Sequence, residues 1–241
     1  MIVTKSPFVA AYSLLAATVL TFPTVSVGAI IIDDFSVAPT TLELTTKYGR
    51  IEEVQRNLDP SHVIGGQRNI SLRAQGPPYA TAFTRKLKID TSVRELQFNQ
   101  VNQGVVEIVY GRDSPLNLNI RGMVLAIDIF GDPYRVVNMS PSLYFYSEHG
   151  GAGTHPWMDP FTVRSIPGGG TRLQIDVREF NEWDDWNPSA VTYFYVAFHM
   201  PHTRVGRLAF IPEPSSMAMM VLGGAMCGFR AKPRRAGTLS N

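Results

Sequence analysis

The chain has a single cysteine, Cys227, close to its C-terminal end. Everything before it can form no internal disulfide and offers neither a thiol nucleophile nor a thiolate metal ligand. Long apolar runs are lacking too. Neither charge-free stretch, Phe8 to Phe22 or Ser215 to Phe229, reaches the roughly 20 residues of a full membrane span. No window sustains apolar residues at helical spacing for several turns, which argues against a helical core. There is no Gly-x-Ser-x-Gly elbow, no phosphate-cradling Gly-x-x-x-x-Gly-Lys loop and no Asp-x-Asp-x-Asp-Gly calcium loop. The formal net charge of +2 is an effect of the two ends, because Lys5 and a basic C-terminal cluster outweigh a slightly acidic middle. Without a Lys/Arg stripe to neutralise phosphates, no nucleic-acid partner is expected.

What is present begins with a recognisable leader. Lys5 precedes the apolar run Phe8 to Phe22, Pro23 breaks it, and Val27-Gly28-Ala29 sets small residues at the positions signal peptidase requires. Residues 1–29 therefore read as a signal peptide, with cleavage before Ile30.

The C-terminal end has three parts. Pro212-Glu213-Pro214 comes first, then the charge-free segment Ser215 to Phe229, then the basic residues Arg230, Lys232, Arg234 and Arg235. This order resembles the PEP-CTERM tail of exported bacterial proteins that are processed by exosortase. The resemblance implies a sorting segment over 212–235, an exosortase-type processing enzyme as partner, and passage through the inner membrane. The apolar segment would lodge there as a short helix, with its arginines on the cytoplasmic side. Residues 236–241 form a short extension beyond it.

Between these ends, 30–211 suits one domain with its own core. Alternation of apolar and polar residues recurs at Leu42 to Leu44, Ile70 to Arg73, Leu96 to Asn99 and Leu173 to Arg178, the signature of strands with one wet face. Met123 to Phe130, Leu143 to Tyr146 and Val191 to Phe198 are nearly continuous in branched and aromatic residues, which predicts central strands covered on both faces. Gly65-Gly66, Gly111, Gly131-Asp132-Pro133, Gly168-Gly169-Gly170 and Asn187-Pro188 punctuate them as turns. The expected fold is all-β, an antiparallel β-sandwich of jelly-roll-like character. The opening Asp33-Asp34-Phe35-Ser36 and the later Gly65-Gly66-Gln67-Arg68-Asn69 also resemble exported PEP-CTERM proteins that carry an Asp-Asp-Phe-Ser strand and a Gly-Gly-x-Arg-Asp turn. Asn69 stands here where that pattern has Asp. The Asp-Phe near the first strand is similar, too, to the start of jelly-roll carbohydrate-binding modules.

Two segments have compositions suited to binding. Arg178 to Pro188 holds Trp183 and Trp186 beside Asp184 and Asp185, groups that can stack on sugar rings and accept hydrogen bonds from hydroxyls, or that simply form an edge loop capping the core. His149 to Pro160 holds Trp157 in a glycine-rich stretch that reads as a surface loop. His149 and His155 lack a clustered third ligand, so no metal is expected, and no cofactor. Glu107, Asp128, Asp176 and Glu179 are spread over different strands, so nothing selects a catalytic carboxylate pair. The expectation is a non-catalytic protein of the cell envelope or extracellular matrix, associated with exopolysaccharide. The alternatives are an extracellular glycan-binding module and a secreted carbohydrate-active enzyme.

Overall fold

The computed structural model describes residues 28–46, 48–75, 84–100, 104–131, 141–154, 161–199 and 203–213, without the side chains of Gln75, Gln100, Trp183, Asp184 and Thr203. The expected signal-peptide core and the tail from Pro214 onward lie outside these residues. Among the described residues no helix is long and apolar enough to cross a membrane.

The fold is an antiparallel β-sandwich. In chain order the strands are β1 (Ile30–Asp33), β2 (Thr40–Leu44), β3 (Tyr48–Gln55), β4 (Arg68–Gln75), β5 (Arg85–Asp90), β6 (Glu95–Gln100), β7 (Gly104–Tyr110), β8 (Met123–Phe130), β9 (Ser142–Tyr146), β10 (Gly150–Gly153), β11 (Thr162–Ile166), β12 (Gly170–Asp176), β13 (Asn181–Asp184), β14 (Tyr193–Phe198) and β15 (Thr203–Pro212). One sheet runs β11-β12-β8-β15-β6-β5-β2, with β1 added along β15, and the other runs β13-β10-β9-β14-β7-β4-β3.

The alternation in the sequence becomes the two faces of each sheet. Leu125, Ile127 and Ile129 of β8, Leu173 and Ile175 of β12, and Leu208 and Phe210 of β15 point inward from the first sheet and are buried. Leu143 and Phe145 of β9, Ile108 of β7, and Phe194, Val196 and Phe198 of β14 meet them from the second. Phe145 joins the layers, with its ring centroid 4.4 Å from Phe194 in its own sheet and 5.7 Å from Phe210 in the other. Burying one such side chain contributes about 1.5–3 kcal/mol.

The three continuous apolar runs are interior strands of their sheets, as their composition suggests. Only β8 is buried along nearly its whole length. In β9 and β14 the outward positions are tyrosines that stay partly wet, so these strands have one covered face rather than two. The glycine-rich stretch expected to be a loop is also different. Gly150–Gly153 is strand β10, paired with Tyr144–Tyr146 on one side and Asn181–Asp184 on the other. Pairing on both sides supplies the backbone hydrogen bonds that hold this glycine-rich segment extended. The segment expected as an edge loop is correspondingly the edge strand β13.

A buried ion pair links the layers. Asp33, at the end of β1 in the first sheet, and Arg68, at the start of β4 in the second, are both fully buried. Arg68 Nη1 donates to Asp33 Oδ1 at 2.7 Å and Oδ2 at 2.8 Å, Nε donates to Gln55 Oε1 at 2.7 Å, and Nη2 donates to the carbonyl of Val37 at 2.6 Å. Tyr110 Oη donates to Asp33 Oδ2 at 2.9 Å, and the amide of Phe35 donates to Oδ1 at 2.9 Å. Burial pushes the Asp33 carboxyl up, opposed by the Arg68 guanidinium and these hydrogen bonds. Gly65 and Gly66 deliver Arg68 to this position through a turn with φ of 69° and 64°, a region costly for residues with a side chain. A Cβ on Gly66 would also stand 2.9 Å from the carbonyl oxygen of Leu58.

Two outcomes follow from this packing. Phe145→Ala is expected to cost about 3–5 kcal/mol in denaturant unfolding, because it empties a site touched from both layers. The melting temperature should be the same with and without reductant, since no cysteine lies within the strands.

Candidate functional site

Where β12 ends, the chain turns toward the second sheet and opens a cleft. Asp176, the last residue of β12, accepts from the backbone N–H of Arg178 at 2.9 Å and so starts the 3-10 turn Val177–Glu179. This turn directs the Arg178 side chain back along the strand end, where Nε donates to Asp176 Oδ1 at 3.0 Å and Nη2 donates to Glu213 Oε1. The resulting cleft has a volume of about 430 Å³. Its walls carry Thr162 and Arg164 from β11, Gln174 and Asp176 from β12, then Glu179 and Glu213, over a floor at Val124.

Arg178 lies between two carboxylates, so its own pKa is raised and Asp176 is held below the usual carboxylate range. Asp176 thus stays ionised at neutral pH, and it shares the cleft with Thr162, Glu179 and Glu213. Of the four carboxylates noted in the sequence, two meet in this cleft and two lie elsewhere. Asp176 and Glu179 line or border this cleft, and Asp128 is engaged on the same sheet by Arg172, through Nε to Oδ1 at 2.6 Å and Nη2 to Oδ2 at 2.8 Å. Glu107 belongs to β7 in the other sheet. Among the described residues no three His, Cys, Asp or Glu side chains gather to hold a metal ion.

The sequence-derived site residues separate into three groups. Pro212 is the last residue of β15, in register with Met123, and Glu213 follows at the rim of the cleft. Pro214 and the basic residues Arg230, Lys232, Arg234 and Arg235 lie outside the described residues, as does Trp157. Of the aromatic-acidic segment, Trp183 and Asp184 are in β13, with their backbones in register with Gly151 and Gly150, and Asp185 is exposed just beyond. Trp186 is half-buried against the core, its ring 6.5 Å from that of Phe145. It packs against the core from outside. Its Nε1 is buried without a hydrogen-bond partner among the described residues.

The most prominent cluster that the sequence did not single out lies on the outer face of the second sheet. Tyr144 and Tyr146 of β9 stand in register with Tyr195 and Tyr193 of β14. The signal for it was the spacing Tyr-x-Tyr in two strands. The flanking apolar residues masked it, because they made both runs read as covered on each face.

No protein-family model matches the chain, and no curated protein matches it.

Breaking the pin between strand end and Glu213 has a definite pH signature. Asp176 has a lowered folded-state pKa, so its pairing stabilises the fold above the ordinary carboxylate range and is lost as pH falls through it. Arg178→Gln should lower the melting temperature only slightly at pH 7, as for a surface pair. The difference from the parent in thermal melts should shrink toward zero near pH 3.

Proposed function

We propose that the protein is an exported, non-catalytic β-sandwich of the bacterial cell envelope or extracellular matrix, released by signal peptidase at its front end and sorted by a PEP-CTERM-type tail at its back end. The observation that carries this reading is the position of the two ends of the domain. β1 opens at Ile30, the residue expected to follow signal-peptide cleavage, and β15 closes at Pro212, the first residue of the Pro-Glu-Pro motif. The two strands are antiparallel neighbours, with Ile30 in register with Phe210. Entry and exit of the chain therefore lie side by side at one pole of the sandwich. On this reading the cleavage site and the sorting motif stand directly at the two borders of the folded domain, where processing at either end leaves the strands intact.

The non-catalytic part of the reading rests on the sequence, which carries neither a Gly-x-Ser-x-Gly elbow nor a phosphate-binding glycine loop. On this proposal Glu213 is the motif residue that an exosortase-type enzyme meets, and the apolar segment Ser215 to Phe229 holds the chain transiently in the inner membrane. The domain then resides in the envelope or in exopolysaccharide.

The test is processing in the native host or in a host that carries an exosortase. The mature protein should begin at Ile30 and lack the basic tail. Glu213→Ala should accumulate a longer form in the membrane fraction, while a chain stopped after Glu213 should fold and leave the cell without passing through that form. A mature protein that starts at Met1, or a Glu213→Ala form processed at the parental rate, would remove the basis of the proposal.

A further inference from the structure

The outer face of the second sheet has the construction of a carbohydrate-binding surface. Four tyrosines occupy it as two cross-strand pairs. Tyr146 and Tyr193 have ring centroids 5.2 Å apart, and Tyr144 and Tyr195 have theirs 5.5 Å apart. The pairs are separated by two residues along each strand, roughly 7 Å, with the rings of each pair inclined to one another by 67° and 44°. Tyr146 is 38% exposed, and among the described side chains of the second sheet only Tyr48 of β3 is a more exposed aromatic. Outward tyrosines bury nothing for the core, which is packed on the opposite side of β9 and β14 by Leu143, Phe145, Phe194, Val196 and Phe198.

Beside the tyrosines is an ordered polar network with more cations than anions. Tyr195 Oη donates to Glu107 Oε1 at 3.1 Å, and Ser71 Oγ donates to Oε2 at 3.0 Å. The same carboxylate meets Arg50 Nη2 at 3.3 Å and Arg73 Nη2 at 3.6 Å. Arg112 Nη1 donates to Glu52 Oε1 at 2.8 Å, and Glu52 is shared with Arg50. Three guanidinium groups thus share two carboxylates, and each arginine keeps unused N–H donors at the surface. Arg73 Nε, moreover, is a buried donor with no partner among the described residues. Elsewhere the exported domain is slightly acidic, so the local excess of positive charge is a feature of this face.

Aromatic rings bordered by fixed arginines match one ligand chemistry. The apolar C–H face of a pyranose lies on a tyrosine ring, while its hydroxyls take hydrogen bonds from surrounding polar groups. A carboxylate on the sugar receives the forked donors of arginine. A protein partner would require a larger apolar centre than this face offers, because its outward aliphatic residues Val105 and Val109 are buried beneath their neighbours and the exposed Val54 stands on the edge strand β3 beyond Glu52. We propose that this face binds an acidic polysaccharide, with Tyr146 and Tyr193 as the stacking residues and Arg73 as the carboxylate-binding one. The site stands on its own geometry and does not depend on how the chain is exported.

The probe is alginate, a polymer of carboxylated sugars, with dextran as the neutral counterpart, in affinity electrophoresis of the full chain. All variants share the basic tail, so a difference between them reports the sheet face. The parent should be retarded by alginate and little by dextran. Tyr146→Ala and Tyr193→Ala should each weaken retention at least tenfold with melting temperatures within a few degrees of the parent. Arg73→Gln should weaken alginate retention, Arg73→Lys should restore part of it, and Lys86→Gln on the opposite sheet should behave as the parent. The proposal is overturned if alginate and dextran retard the protein equally. It is overturned as well if neither retards it, or if the tyrosine variants are retained as well as the parent.

Discussion

The Asp33–Arg68 pair is the contact on which the arrangement of the two sheets depends. A carboxylate and a guanidinium with no exposure to water are costly to place inside a protein, and that cost is offset only when each lone pair and N–H finds a partner. Here nearly all of them do, through Gln55, Tyr110, the Val37 carbonyl and the Phe35 amide. The partners come from β3, β4 and β7 of one sheet and from β1 and the loop that follows it in the other. A shift of either sheet by one residue would strand a buried charge. A purely apolar interface would tolerate such a shift at far lower cost. The interaction therefore fixes register between layers that apolar packing alone would leave free to slide.

The features at the two surfaces follow from pairing and alternation within each sheet. β1 lies antiparallel to β15, which brings the first and last strands of the domain together, and Glu213 stands at the rim of the cleft beside Arg178. In the second sheet the alternation along β9 and β14 turns Phe145 and Phe194 toward the core and the tyrosines outward. The ion pair then sets how these two finished layers sit on one another.

The fold class was legible because it rests on period-two alternation, which is local. Leu42 to Leu44, Ile70 to Arg73, Leu96 to Asn99 and Leu173 to Asp176 all became strands with their apolar residues inward. What sequence could not supply was partnership across long separations. Asp33 and Arg68 were visible only as parts of two short patterns, and nothing in either says that they meet. Gly150–Gly153 misled for a related reason: glycine favours loops unless neighbouring strands require close approach, and those neighbours, β9 and β13, are set by tertiary pairing. The tryptophans drew attention by composition, and of them Trp186 packs against the core, while Tyr146 on β9 is an exposed ring that the flanking apolar residues hid from view. Glu107 shows the same limit, because its significance lies in Arg50, Arg73 and Tyr195 converging on it from three other places in the chain.

The central claim, that one buried ion pair sets the relation of the two sheets, is tested most directly by a double-mutant cycle in urea with Asp33→Asn, Arg68→Met and the double variant. Each single change leaves a buried charge without its counter-ion and is expected to cost about 3–5 kcal/mol. The double variant should cost less than the sum, with a coupling of roughly 1–3 kcal/mol between the two positions. Single variants within about 0.5 kcal/mol of the parent, or costs that add to within that same margin, would contradict the account.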